Sequence, residues 1–204
     1  MRSTRSGRLP GRSDLGDGPR LDPGGPDADP VAWARQICLH QLEYAPRTRA
    51  ELAAALRKKG IDDEVAEQVL GRFAEVGMLD DALFAQLWVT SRVRSKGLAS
   101  RAIGSELRRK GVADVVIADA LATLDPASEA ATARALVDRR LRSTTGLTTE
   151  ARVRRLAGML ARKGYPAGLA FRVVKEALEQ EGHDDPLLEG LLDHDGLTDG
   201  PDER

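Results

Sequence analysis

The sequence predicts an all-α protein built from three tandem three-helix repeats. A similar phrase occurs three times, as LRKKGI, LRRKGV and LARKGY, and its glycines Gly60, Gly111 and Gly164 are 51 and 53 residues apart. Apolar residues around each phrase recur at helical spacing. Because aromatic residues make up only 3% of the 204 residues, the cores of these repeats are expected to be aliphatic.

Each phrase has the features of a helix end. An apolar pair at i, i+4 precedes the glycine and marks one face of an amphipathic helix. The glycine suits the C′ position, where a left-handed backbone is accessible without a side chain. The apolar residue that follows should pack back on the helix, as in a Schellman ending. In chain order these residues are Leu52, Leu56, Gly60 and Ile61; Ile103, Leu107, Gly111 and Val112; and Leu156, Leu160, Gly164 and Tyr165.

Two further helices complete each repeat. Apolar residues at +5, +9 and +10 from each glycine predict a helix after the phrase, started by Asp62 or Asp63, by Asp114, or by Pro166 in its first turn. Upstream of each phrase, residues 31–44, 80–95 and 128–143 have a helical pattern of their own. Asp80 and Asp81 are expected to cap the second of these helices, although contact with a partner is an alternative.

The predicted organisation is therefore two tails and three repeats. The repeats span residues 31–79, 80–126 and 127–181. Residues 1–30 contain 11 Gly or Pro, and this composition is typical of a disordered segment. Residues 182–204 are predicted to be an acidic disordered tail. A repeat of this length has a thin core, so stacking on its neighbours is expected to stabilise it.

Charge is segregated along the chain although the formal net charge is only -1. From Glu181 to Arg204 there are nine acidic residues and one basic residue, whereas residues 31–180 have 25 basic and 18 acidic residues, a net of +7. The acidic tail is either a solubilising terminus or an electrostatic cover that competes with an acidic ligand for the basic middle. A basic repeat region indicates a polyanionic partner, either nucleic acid or an acidic protein groove.

Several function classes lack support in the sequence. No apolar run approaches the roughly 20 residues of a membrane helix, and no signal peptide is recognisable. Cys38 has no cysteine to pair with, as is typical of a cytoplasmic protein. His40, His183 and His194 lack metal-ligand spacing, and neither a phosphate-binding glycine motif nor a nucleophile motif occurs. We therefore expect a non-enzymatic cytoplasmic protein without cofactor or metal, acting as a monomer.

Cations near the helix ends and in the joins are the candidate binding residues. Lysine and arginine at a helix C-terminus also stabilise the helix by about 0.3–1 kcal/mol each. A purely structural role therefore stays open for the adjacent cations at each helix end. The aromatic residues Trp33, Phe73, Phe84, Trp88 and Phe171 are expected to be core residues rather than base-stacking platforms. Further cations in the joins include Arg139, Arg140 and Arg152. The candidate binding residues are Arg57, Lys58, Lys59, Arg92, Arg94, Lys96, Arg101, Arg108, Arg109, Lys110, Arg154, Arg155, Arg162 and Lys163.

The segment DDALFAQLWVTSRVRSKGLASRAIGSELRRKGV resembles the central motif of the RecX family of bacterial recombination regulators. The repeat before it is similar to the family's first repeat, and the third is similar more loosely, so the resemblance covers about residues 33–181. It implies an elongated, curved helical array that lies in the groove of the RecA filament on DNA. Such a regulator would restrain filament growth, ATP hydrolysis and strand exchange in recombination, DNA repair and the SOS response. The alternative is a helical-repeat protein that binds DNA directly, without a recombinase target.

Overall fold

The computed structural model describes residues 29–182, and these contain α-helices, one 3₁₀ turn and no strand. The all-α prediction with three three-helix repeats is confirmed. Repeat 1 consists of α1 (Pro30–Tyr44), α2 (Arg49–Lys58) and α3 (Asp63–Glu75). Repeat 2 consists of α4 (Asp81–Lys96), α5 (Ser100–Arg109) and α6 (Asp114–Leu121). Repeat 3 consists of α7 (Pro126–Leu141), followed by the 3₁₀ turn Arg142–Thr144, then α8 (Thr149–Arg162) and α9 (Ala167–Gln180).

Side-chain caps fix where most helices begin. Asp29 caps α1, which starts at Pro30, one residue before the predicted start. Asp80 accepts a hydrogen bond from the backbone N of Leu83 at 2.9 Å, so it caps α4 as predicted. Asp114 is the first helical residue of α6, and Pro166 lies immediately before α9 instead of in its first turn. The predicted disorder of residues 1–28 and 183–204 lies outside the described residues.

The three helix ends have the predicted glycine geometry. Gly60, Gly111 and Gly164 have φ values of 75°, 75° and 88°, in the left-handed region. The backbone N of the next residue donates to the carbonyl five residues back in each phrase, as from Ile61 to Leu56 at 3.1 Å. This pair of features is the Schellman ending. The repeated phrase therefore encodes the same turn three times.

Each repeat has its own aliphatic core. The buried residues separate into three clusters, one per repeat, and the cluster of repeat 3 also includes Ala99 of repeat 2. Leu52 and Leu56 are buried in the first cluster, Ile103 and Leu107 in the second, and Leu156 and Leu160 in the third. The predicted stacking therefore does not produce one continuous core. Contacts between repeats must be sought at the turns.

The glycine turn of one repeat packs on the second helix of the repeat before it. A Cβ added at Gly111 would collide with the Cβ of Ala50 at the start of α2. Likewise, a Cβ at Gly164 would lie 2.6 Å from both the Cβ and the backbone N of Ala102 in α5. Gly60, in the first repeat, would meet nothing within 4 Å. Gly111 and Gly164 thus serve two purposes, because they end a helix and also allow the next repeat to approach closely.

Hydrogen bonds repeat at both of these joints. At the first joint, Asp81 accepts from the backbone N of Arg49 at 2.9 Å, and the Thr48 hydroxyl donates to the Lys110 carbonyl at 2.6 Å. Thr48 is fully buried there. Asp81 therefore caps a helix of the preceding repeat rather than its own.

The second joint uses equivalent positions. Glu129 accepts from the backbone N of Ser100 at 2.7 Å, and the backbone N of Ala99 donates to the Lys163 carbonyl at 2.9 Å. The Tyr165 hydroxyl adds a bond to the Gly97 carbonyl at 3.2 Å. Because a carboxylate, a lysine carbonyl and a glycine recur at both joints, the relative placement of successive repeats is specified by the repeated sequence itself.

Candidate functional site

The charged side chains that line a wide groove between repeats 2 and 3 are lysines and arginines. It has a volume of about 940 Å³ and lies between the end of α4, the outer face of α7 and the end of α8. Ser95, Ser128 and Thr132 supply hydroxyl groups to its wall, and no Asp or Glu among the described residues lines it. The cations that line it are Arg94, Lys96, Arg139, Arg162 and Lys163.

A smaller depression continues this surface along repeat 3. It has a volume of about 200 Å³ and is lined by Arg140, Arg155 and Arg162, with the hydroxyls of Ser143 and Thr144. Arg162 belongs to both depressions, so they form one cationic surface, which we call the basic groove. Neighbouring cations repel one another, and this repulsion is relieved when a bound anion or ions from the solvent neutralise them.

The chemistry of the basic groove suits phosphate oxygens better than bases. Guanidinium, ammonium and hydroxyl groups donate hydrogen bonds to phosphate. No aromatic side chain lines either part of the groove, so it offers no stacking platform. The Lys163 ammonium donates to the Lys96 carbonyl, which fixes one cation at the junction of the two repeats. Binding of a nucleic acid here would therefore follow its backbone rather than its sequence.

Two predicted cations have structural roles away from the groove. Arg92 pairs with Glu106 across repeat 2, with Nε 2.7 Å from Oε2, and its guanidinium lies 3.8 Å from the centre of the Trp88 ring. Lys110 pairs with Glu51 of repeat 1, with Nζ 2.7 Å from Oε1, and also lies over the Trp88 ring at 4.5 Å. All four charged side chains are 20–24% exposed. Lys110 thus joins repeats 1 and 2, and stacked repeats do not present it on the same surface as Lys163.

The remaining predicted cations are exposed outside the groove. Arg57 and Arg108 form ion pairs with Asp63 and Asp114 at 3.5 and 2.8 Å, each across its own glycine turn. The others are exposed and line neither part of the basic groove. They are Lys58, Lys59, Arg101, Arg109 and Arg154.

Three cations of the joins lie where the sequence alone did not place them. Arg139 and Arg140 line the basic groove but were not among the candidate binding residues. Their position in the last turn of α7 could have indicated them as binding residues. The sequence did not show which face of α7 is open. Arg152 is only 1% exposed, and its guanidinium contacts Thr144 and Glu181. It fastens α8 to the end of α9.

Two partly buried carboxylates, Glu106 and Glu51, make the stability of the fold depend on pH. Burial alone would raise the pKa of Glu106, but hydrogen bonds from Arg92 and Trp88 and the positive charge of Arg92 hold that pKa below its usual range. Glu51 behaves alike: hydrogen bonds from Lys110 and Thr48 outweigh burial and lower its pKa. A carboxyl whose pKa is lower when folded stabilises the fold fully above its unfolded pKa, and this contribution is lost as the pH falls through the folded value.

We therefore expect Glu51→Gln and Glu106→Gln to weaken the acid sensitivity of the fold. Thermal melts at pH 7 and at pH values below 4.5, the ordinary carboxyl pKa, provide the measurement. The fall in melting temperature on acidification should be smaller in either variant than in the parent chain. Glu64→Gln, at an exposed helix start, is the control and should leave that fall unchanged. An equal fall in the parent and both variants would contradict the assignment.

The described residues contain neither a candidate metal site nor a helix that could span a membrane. Between residues 29 and 182, no cluster of three or more His, Cys, Asp or Glu side chains could hold a metal ion. None of the helices in that range is long and apolar enough to cross a membrane.

The fold and the groove define a tandem helical-repeat protein with a cationic groove between two repeats. Family models for RecX match all three repeats: the first three-helix domain over residues 34–73, the second over 80–121 and the third over 127–174. The chain belongs to the RecX family of regulatory proteins. The resemblance noted in the sequence is thus confirmed.

Individual relatives agree with this assignment. The chain is 56% identical to the regulatory protein RecX of Streptomyces coelicolor over 165 residues, which cover 81% of this chain and 88% of the relative. It is 56% identical to the regulatory protein RecX of Thermobifida fusca over 177 residues, covering 85% and 94%. The crystal structure of RecX from Lactobacillus salivarius superposes with a TM-score of 0.68 at 19% identity, covering 73% of this chain and 97% of that one, and shows the same fold.

Proposed function

We propose that this protein regulates a RecA recombinase by laying its basic groove on the RecA–DNA filament. Contact there restrains filament growth, ATP hydrolysis and strand exchange during homologous recombination and DNA repair. The observation that carries the proposal is the groove itself, where cations from two repeats line one surface to which residues 29–182 contribute no carboxylate. The protein acts as a cytoplasmic monomer and catalyses no reaction of its own.

The separation of the cations into two groups supports this proposal. Arg92 and Lys110 are committed to ion pairs that hold the fold, whereas Arg94, Lys96 and Arg139 are exposed along one groove. Cations that stabilised helix ends alone would not need to come from α4, α7 and α8 together. An anionic filament surface would neutralise them collectively.

Direct binding to DNA is the second candidate function. The net charge of +7 between residues 31 and 180 favours it, since phosphates bind any exposed cationic surface in a salt-dependent manner. In this interpretation the recombinase contributes no contact of its own. The two functions therefore differ in whether affinity depends on the recombinase being present.

Titration of the full chain into a recombinase ATPase assay on single-stranded DNA tests the proposal. Binding to naked DNA of the same length is measured in parallel at matched salt. We expect inhibition of ATP hydrolysis at chain concentrations well below those that bind naked DNA, because the filament adds protein contacts. Equal affinity for the filament and for naked DNA would instead favour direct DNA binding.

A further inference from the structure

Repeat 3 has an apolar groove. It lies between α8 and α9, has a volume of about 450 Å³ and is lined along α8 from Thr149 to Ala161. Val153, Ala157 and Phe171 form its wall, and its only charged lining residues are Glu150 and Arg154. An open apolar surface of this kind is a candidate binding site for an apolar segment.

Repeat 3 lacks an ion pair that the other two repeats have at equivalent positions. Three residues before and after the turn glycine, repeat 1 has the pair Arg57 and Asp63, and repeat 2 has the pair Arg108 and Asp114. The same positions in repeat 3 are Ala161 and Ala167, and both line the groove. Two small side chains thus replace the long side chains that bridge the same place in the other repeats.

The chain leaves repeat 3 at one end of this groove. Arg152, in the first turn of α8, contacts Glu181, and the described residues end one position later at Gly182. Glu150 and Val153, on either side of Arg152, line the groove. The described chain therefore ends near the Glu150 end of the groove, and residues 183–204 follow it in the sequence.

That following segment has the composition of an occupant. Its sequence HDDPLLEGLLDHDG contains four leucines, Leu187, Leu188, Leu191 and Leu192, flanked by acidic residues on both sides. Four leucines exposed to water are unfavourable, and each gains roughly 1.5–3 kcal/mol on full burial. The apolar wall of the groove is complementary to the leucines, and Arg154 on its rim can pair with an acidic residue of the segment.

We propose that residues 187–192 bind in the apolar groove of repeat 3 and carry the acidic residues that follow them onto the basic groove. Glu150 and Ala161 are separated along α8 by about 17 Å at 1.5 Å per residue. Residues 187 to 192 span about the same length when extended. The acidic run from Asp193 onward then begins beside Arg162, which lines both parts of the basic groove.

The consequence is intramolecular competition at the basic groove. Five of the last twelve residues are acidic, from Asp193 to Glu203, and they occupy the cations until a stronger polyanion displaces them. This regulatory consequence rests on the proposed function, because it assigns the basic groove as the binding surface. The docking contact itself does not depend on a recombinase.

Disulfide trapping in the full chain tests the docking contact and its direction. The pairs Glu150→Cys with Leu187→Cys and Ala161→Cys with Leu192→Cys should cross-link within the chain under mild oxidation. The crossed pairs, Glu150→Cys with Leu192→Cys and Ala161→Cys with Leu187→Cys, should cross-link severalfold more slowly. Native Cys38 is buried and burial raises its pKa to about 11, so it stays an unreactive thiol. Equal rates for direct and crossed pairs, or no intramolecular cross-link, would overturn the docking proposal.

Affinity for a fluorescent single-stranded oligonucleotide tests the competition. Ala161→Arg with Ala167→Asp installs the ion pair of repeats 1 and 2 and fills the groove without changing the net charge. Replacing the four leucines by Ser removes the anchor and keeps every acidic residue. Both variants should bind the oligonucleotide severalfold more tightly at low salt, and the gain should vanish as salt screens the tail.

The matched control is Leu83→Ser with Leu87→Ser, two exposed leucines of α4, and it should leave affinity unchanged. Unchanged affinity in either the filled-groove or the leucine variant would contradict the competition. Neither readout includes the recombinase, so failure here leaves the proposed function standing. Conversely, if the filament assay fails, the cross-links still decide whether the segment docks.

Discussion

The substitution Gly111→Val is expected to lower the free energy of unfolding by about 2–6 kcal/mol. One part of this cost is backbone strain, because a β-branched residue resists the φ of 75° observed there, at about 1–3 kcal/mol. A second part of about 1–3 kcal/mol arises from the joint, since the added side chain would collide with Ala50 of the preceding repeat. Urea unfolding followed by circular dichroism measures the sum.

Gly60→Val is a matched control supplied by the chain itself. Gly60 has the same φ of 75° in the same phrase, but nothing lies within 4 Å of the Cβ it would gain. It should cost the strain alone. The difference between the two variants therefore reports the contact between repeats 1 and 2. Ala50→Gly added to Gly111→Val should recover part of that difference, and equal costs at Gly60 and Gly111 would show that the joint contributes nothing.

Local rules explain how well the repeats were predicted. Helical spacing, the turn glycine and the caps involve residues within a few positions of one another, so their pattern is visible in the sequence. Gly111 could thus be assigned to a helix end. Its second role could not, because the contact with Ala50 depends on how repeats 1 and 2 are placed in space. The same limit applies to Asp81, which caps α2 from the next repeat.

Long-range pairing explains why the candidate site was predicted only in part. Arg94, Lys96, Arg155, Arg162 and Lys163 line the basic groove, whereas Lys58, Lys59, Arg109 and Lys110, at positions equivalent to Arg162 and Lys163, do not. Lys110 looks equivalent to Lys163 in sequence, yet it pairs with Glu51, a residue 59 positions away. Such a partner cannot be read from a repeated phrase. Only the tertiary structure distinguishes cations that hold the fold from those left exposed.

Neutralising the basic groove should reduce affinity for the recombinase filament by about tenfold or more at ordinary salt. The variant combines Arg94→Gln, Lys96→Gln and Arg139→Gln, which are exposed cations on the groove wall. Arg92 is left intact because its pairing with Glu106 stabilises repeat 2. Exposed charges outside special features contribute within about 0.5 kcal/mol each to stability, so the variant should fold normally.

The control removes the same charge from another surface, through Arg35→Gln, Lys58→Gln and Lys59→Gln in repeat 1. Titration of filament binding, ATPase inhibition and naked-DNA binding at several salt concentrations compares the two variants. The groove variant should lose inhibition and become less salt-sensitive, since fewer counterions are released on binding. The control should retain most of both. Equal losses would mean that overall charge, and not the groove, drives binding, whereas full inhibition by the folded groove variant would place the binding surface elsewhere on the chain.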